Sequence, residues 1–139
     1  MKISTKGRYG LTIMIELALN YGQGPTSLKM IAKENNLSEH YLEQLASPLR
    51  NAGLVKSVRG AYGGYMLSRE PKSITASDVL RVLEGPLTIV EGMEEEKPAQ
   101  QSLWLSIRDA VKDVLDQTTL QDLVDHENDE PRDAYMFYI

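Results

Sequence analysis

The fold of this chain is decided by residues 37–68, which read LSEHYLEQLASPLRNAGLVKSVRGAYGGYMLS. Leucines recur at helical spacing in the first half, at positions 42, 45 and 49, and therefore predict one amphipathic helix. Ser38 can cap this helix at its start, and Gly53 suits the left-handed residue that closes it. Pro48 lies inside the helix and removes one backbone hydrogen bond, so we expect a bend there.

A hairpin is predicted directly after this helix. Two short strands, Val55–Val58 and Tyr65–Ser68, flank a glycine-rich tip, and glycine gives the backbone the freedom that a tight turn needs. A shorter amphipathic helix over 28–35, capped by Ser27, precedes the longer one, so the two form a helix-turn-helix. The added hairpin makes the pattern that of a winged helix-turn-helix, which is far more specific than either part.

The remaining chain predicts a mainly α fold with this small β-hairpin wing. Residues 5–21 form a first helix, and a capping-box pattern at Thr75 starts another that ends at Gly85. Residues 92–101 show no periodicity and predict an exposed loop, after which a long helix over 101–116 and a last short helix follow. We expect a winged DNA-binding domain in 1–72, dimerisation and regulatory helices in 73–127, and a C-terminal tail in 128–139.

The charge is divided unevenly along the chain. Residues 1–75 hold ten basic and five acidic side chains, whereas residues 76–139 hold five basic and fifteen acidic ones. The basic half can therefore dock on a polyanion although the whole chain has a net charge of −5. No run of about 18 apolar residues is present, so we expect a cytoplasmic protein without a membrane-spanning helix.

The start of the second helix of a helix-turn-helix enters the major groove of DNA, where its side chains meet base edges. Glu43 can accept from a cytosine amino group and Gln44 can pair with adenine. His40 can read a base or be an inert exposed residue. Lys6 and Arg8 in the first helix can contact phosphates or be solvated charges. The predicted contacts in this group are Ser38, Glu39, His40, Tyr41, Glu43, Gln44, Lys6 and Arg8.

The wing tip predicts a probe of the minor groove. Arg59 stands beside Gly60 and Tyr62, and arginine favours the negative potential of a narrow minor groove. Lys56 on the preceding strand is placed to touch phosphate. The alternative is an arginine that only makes the hairpin soluble.

The long helix carries a wide apolar face that must be buried somewhere. Because the N-terminal module is too small to cover this face, we predict a homodimer; packing back on its own domain is the alternative. The predicted dimer residues are Leu103, Trp104, Ile107, Val111, Val114 and Leu115.

No enzyme is predicted. The chain lacks cysteine, has only two histidines, and contains neither a glycine-rich phosphate loop nor a serine elbow, so we expect no metal, no cofactor and no catalytic residue. Two alternatives to a DNA-binding regulator stay open. They are a winged-helix protein-interaction module and a sensor of a small molecule bound between the long helix and the wing domain.

Four segments follow one another in the chain: residues 1–9 (MKISTKGRY), 41–45 (YLEQL), 49–54 (LRNAGL) and 58–65 (VRGAYGGY). In this order they resemble the Rrf-two (Rrf2) family of bacterial winged-helix transcription regulators, and the similarity extends through Trp104 to Thr119. The resemblance implies a homodimer that binds double-stranded DNA. Many members sense iron–sulfur clusters through three cysteines just before the dimer helix, and this chain has none there.

The C-terminal ending, residues 134–139 (AYMFYI), is similar to that of cluster-free members that repress cysteine-metabolism genes. The resemblance implies that O-acetylserine thiol-lyase, a pyridoxal-phosphate enzyme also called cysteine synthase, is the corepressor partner. Tyr138 and Ile139 would enter the enzyme, with the terminal carboxylate held by backbone donors. The alternative is a tail that packs on its own dimer.

Overall fold

The computed structural model describes residues 2–129 and confirms the predicted fold class. It is a mainly α winged helix-turn-helix with a long additional helix. Short 3₁₀ turns lie at Pro71–Ser73 and Met93–Glu95. The helices and strands are α1 Thr5–Leu19, α2 Leu28–Asn35, α3 Glu39–Asn51, β1 Val55–Val58, β2 Gly64–Leu67, α4 Ala76–Glu84, α5 Pro98–Gln117 and α6 Leu120–Asp129.

Short polar side chains fix where the helices begin. The hydroxyls of Ser4, Ser27 and Ser38 each accept a hydrogen bond from the backbone N–H three residues on, which satisfies a donor that the helix itself cannot. Thr75 and Thr119 begin α4 and α6 with capping boxes. In each box the carboxylate of the aspartate three residues later accepts from the threonine backbone N–H, and the aspartate backbone N–H donates to the threonine hydroxyl. The caps predicted at Ser27, Ser38 and Thr75 are therefore confirmed.

The core lies around α1, which packs against α3, α4 and α6. Ile13, Met14 and Leu17 of α1 are almost fully buried, as are Leu42 of α3 and Leu120 of α6. Leu11 and Ile15, which lie at helical spacing from each other, are only half-buried. Three neighbouring helices, rather than one, cover α1, and so a single stripe at helical spacing does not describe its burial.

The wing is an antiparallel hairpin in which Val55 pairs with Leu67 and Val58 pairs with Gly64. It is also fastened to the loop before α2, because the backbone groups of Thr26 and Tyr65 exchange hydrogen bonds of 2.9 and 2.8 Å. A Cβ at position 64 would overlap the Thr26 carbonyl, so this close approach requires Gly64. The second strand begins one residue earlier than predicted.

Pro48 lies inside α3, which continues past it to Asn51. Because proline has no backbone N–H, the carbonyl of Gln44 lacks its donor within the helix.

The predicted loop over 92–101 is wrong in its second half, because α5 already begins at Pro98. The Gln101 side chain donates to the carbonyls of Glu94 and Glu96, at 3.3 and 2.7 Å, and Trp104 Nε1 donates to the Glu96 carboxylate. The first turn of α5 is thus set by a proline and by polar contacts, which produce no periodic pattern of apolar residues in the sequence. Hydrophobic periodicity therefore does not predict this helix start.

The end of α5 and the start of α6 return the chain to the core. Leu120 N donates to Ile74 O at 2.9 Å and Ala76 N donates to Thr118 O at 2.8 Å. The Ser77 hydroxyl and the Lys112 ammonium both donate to the Asp116 carboxylate. These two hydrogen bonds lower the pKa of Asp116. Across residues 2–129, no helix is both long and apolar enough to cross a bilayer.

Candidate nucleic-acid interface

The first turns of α3 present an outer face to solvent while the inner face is buried. Leu42, Leu45 and Leu49 face the core with at most 2 % of their surface exposed. The predicted base-reading side chains share the opposite property, since all but one are exposed; the exposed ones are Ser38, Glu39, His40, Glu43 and Gln44. Helical spacing alone thus gives α3 a polar surface for a groove.

Tyr41 is the exception, because it is half-buried. Its ring meets the ring of Tyr9 edge to face, with centroids 6.0 Å apart and planes at 89°. Such aromatic pairs are worth about 1 kcal/mol beyond their buried area. Tyr41 therefore fixes α3 against the start of α1, a role that the sequence did not indicate.

Glu43 faces the base of the wing. The hydroxyl of Tyr65 donates to its carboxylate over a long distance of 3.5 Å. Burial first, and then the charge of Glu43, raise the pKa of the Tyr65 hydroxyl, so it stays protonated and able to donate. A partner for Glu43 was expected among bases or arginines, and a tyrosine 22 residues away carries no local sequence signal.

His40 and Gln44 lie one turn apart on the exposed face, with their side-chain nitrogens 3.4 Å from each other. They form a neighbouring pair of hydrogen-bonding groups beside Glu43. The structure therefore brings together three side chains predicted to read bases.

The wing tip stands free of the body. Tyr62 is 95 % exposed, and Arg59 and Gly60 are exposed beside it. Gly60 has a φ of 114°, which a residue with a side chain rarely adopts. An aromatic ring left so open, next to a cation at a turn, fits contact with a partner better than packing within this chain.

Four basic side chains, two in the first turn of α1 and two on the wing, are all exposed. Within residues 2–129, none of these four forms an ion pair with a carboxylate. Unpaired cations are available to contact phosphates. Such contacts position the protein on DNA without reading the base sequence. The four are Lys6, Arg8, Lys56 and Arg59.

The predicted dimer face remains uncovered in the single chain. None of the α5 side chains is fully buried. Leu103, Ile107 and Val114 are 53 %, 38 % and 64 % exposed, while the other three predicted residues, Trp104, Val111 and Leu115, are half-buried. Within the single chain α5 contacts α4, and this packing leaves part of the predicted dimer face exposed.

Comparison with known proteins identifies the family. The sequence profile of Rrf2, described as an iron-dependent transcriptional regulator, matches residues 3–126. The chain belongs to the Rrf2 family. The chain is accordingly a transcription regulator and not an enzyme, as the sequence predicted.

Individual relatives in the Rrf2 family agree with this assignment. The chain is 70 % identical over 139 residues to the HTH-type transcriptional regulator CymR of Bacillus subtilis, with both chains fully covered. It is 36 % identical to IscR of Pectobacterium atrosepticum, covering 91 % of this chain and 80 % of that one. The solved structure of CymR, the global cysteine regulator of B. subtilis, superposes with a TM-score of 0.87 at 71 % identity, covering 91 % and 98 % of the two chains.

The iron named in the family description finds no thiolate ligands in this Rrf2 member, which contains no cysteine. Between residues 2 and 129, no group of three or more histidine, aspartate or glutamate side chains is placed to hold a metal ion. The donor set therefore does not fit a cysteine-ligated cluster.

Replacing Arg59 by Ala is expected to weaken binding to DNA, because the wing loses its cation in the minor groove. The binding free energy should become less favourable by about 1–3 kcal/mol, and most strongly for operators with A/T-rich steps under the wing. Fluorescence anisotropy with matched A/T-rich and G/C-rich fragments measures both effects.

Arg69→Ala is the matched control, because Arg69 already pairs with Asp78 and lies away from the tip. Unchanged affinity of the Arg59 variant on both fragments would contradict a minor-groove role.

Proposed function

We propose that this chain is a homodimeric, sequence-specific DNA-binding repressor of cysteine and sulfur metabolism genes, with O-acetylserine thiol-lyase as its corepressor. The observation that supports it most is the exposed start of α3, together with the unpaired cations of α1 and the wing, in a member of a family of transcription regulators. Such a repressor acts in the cytoplasm, where the promoter lies.

The DNA contacts divide into two kinds. His40, Glu43 and Gln44 enter the major groove from α3 and meet base edges, and the carboxylate of Glu43 selects against bases without an amino donor. Ser38, Glu39 and Tyr41 lie at the same helix start, and the hydroxyls of Ser38 and Tyr41 reach phosphates there. The wing adds Arg59, Gly60 and Tyr62 in the adjacent minor groove, and three lysine and arginine side chains outside the wing tip contact phosphates; they are Lys6, Arg8 and Lys56.

A homodimer explains the uncovered face of α5. Val114 and Leu103 are more than half exposed, and covering the exposed part of each would contribute roughly 1 kcal/mol, about half of the value for complete burial. Two copies related by a two-fold axis would cover the same face on each other and present two α3 helices to successive major grooves. In this proposal residues 1–72 read DNA and residues 73–127 join the copies.

The regulated genes are proposed from the relatives. CymR of B. subtilis, 70 % identical over the whole chain, has a solved structure described as that of the global cysteine regulator. Similarity at that level over the full length of both chains supports the same class of target genes here.

The tail is proposed to recruit the enzyme. Residues 128–139 end in AYMFYI, and the predicted partner contacts Tyr138 and Ile139 lie outside the residues that the structure describes. A terminal carboxylate with an apolar side chain suits a pocket that binds the carboxylate of an amino-acid substrate. The regulatory input would then be the supply of cysteine precursor, sensed by the enzyme.

One observation favours a second candidate, a direct sensor of a small molecule. A cavity of about 610 Å³ lies between the start of α1, α4 and α5, and its wall includes Arg81, Lys112 and Leu115. Leu115 also belongs to the proposed dimer face, so a partner copy would cover part of this space.

Affinity for an operator fragment is expected to fall steeply as salt rises, because each phosphate contact releases condensed counterions. With three phosphate contacts per protomer, a dimer should give a slope of log affinity against log salt of roughly −5, at about 0.9 per contact. Anisotropy titrations from low to physiological salt measure the slope. An affinity that does not change with salt concentration, or no binding at all, would favour a protein-interaction module.

Deleting Tyr138 and Ile139 is expected to abolish association with O-acetylserine thiol-lyase while the chain still sediments as a dimer. Adding one glycine after Ile139 should also abolish it, because the side chains remain but the carboxylate moves. Size-exclusion chromatography of the mixed proteins measures both variants. Co-elution of either variant with the enzyme would rule out carboxylate capture.

A further inference from the structure

The last residue of α4 reaches back to the first turn of α1. Oε1 of Glu84 accepts hydrogen bonds from Ser4 N at 2.9 Å, Ser4 Oγ at 2.5 Å and Gly7 N at 3.1 Å. These partners lie 80 and 77 positions earlier in the chain. One carboxylate oxygen thus closes the start of α1 from the other half of the sequence.

The first turn of α1 is built to receive this carboxylate. It contains no acidic residue of its own, although the start of a helix favours a negative charge. A Cβ at position 7 would overlap the Glu84 carboxylate, so only glycine permits the approach. Gly10, one turn on, makes the same allowance for Leu83. Two small residues and a remote acid together fix how α1 sits on α4.

The groups held in this way are those assigned to DNA. Lys6 and Arg8 flank Gly7, and both are exposed. Tyr9 follows and packs edge to face on Tyr41 of α3. A change in the position of this turn would therefore move two phosphate contacts and the support of the recognition helix together.

We propose that Glu84 is a positioning residue for DNA binding, through which the half of the chain that begins at α4 sets the angle and register of the DNA-contacting start of α1. The inference rests on the proposed function. It makes Glu84 an acidic residue that strengthens binding to a polyanion. Simple electrostatics predicts the opposite, since an isolated negative charge repels phosphate.

The test compares two variants that remove the same charge. Glu84→Gln removes the carboxylate at the start of α1, whereas Asp109→Asn removes one on α5 that, among residues 2–129, forms its ion pair with the adjacent Arg108. The Gln variant should bind an operator roughly tenfold more weakly and lose roughly 1–2 from the size of its salt slope for each protomer, because the two phosphate contacts are misplaced. The Asn variant should keep the wild-type slope.

A double-mutant cycle separates positioning from general destabilisation. Gly7→Ala should weaken binding in the wild-type background by displacing the carboxylate, but should have no further effect in a Glu84→Ala background, where its methyl group has room. Thermal unfolding of every variant shows whether it is folded at the assay temperature. If Glu84→Ala is unfolded there, Glu84→Gln carries the test, because glutamine retains an acceptor oxygen.

The outcomes are distinct. A weaker Gln variant with a reduced slope and a non-additive cycle supports the inference. Unchanged or tighter binding by the Gln variant, or additive effects of the two substitutions, overturns it while the proposed function stands. A wild-type chain that does not bind the operator overturns the proposed function and the inference together.

Discussion

The structure depends on the burial of α1 among α3, α4 and α6. Ile13, Met14 and Leu17 are almost removed from water there, and three helices from distant parts of the chain cover them. Burial of each such side chain contributes about 1.5–3 kcal/mol, more than any single polar contact at the surface. Because α3 is held by this core, its polar face must point outward, and the capped start of α3 is placed where DNA can reach it.

Secondary contacts then set the parts of the interface against one another. The backbone exchange between Thr26 and Tyr65 fixes the wing, and Tyr65 in turn meets Glu43 on α3. Tyr9 and Tyr41 join α1 to α3, while Glu84 joins α1 to α4. The interface is therefore a set of exposed side chains on a rigid frame, which favours readout of a fixed DNA geometry.

Much of the fold follows from local rules in the sequence. The serine and threonine caps, the glycine stops and the leucine spacing of α3 act within a few residues, and they place most helix boundaries closely. Contacts between distant positions could not be predicted in this way, and these include Tyr65 with Glu43 and Glu84 with Gly7. The early start of α5 at Pro98 was missed because polar side chains rather than an apolar period hold the preceding turn.

In the proposed complex, two copies of this chain present α3 and the wing to one operator. A hydroxyl-radical footprint on the promoter of a cysteine-uptake gene, with the purified chain alone and with O-acetylserine thiol-lyase, tests this most directly. We predict two symmetric protected regions whose centres lie about 10.5 base pairs, or a multiple of that spacing, apart. A single unsymmetrical region, or no protection in either reaction, would contradict the account.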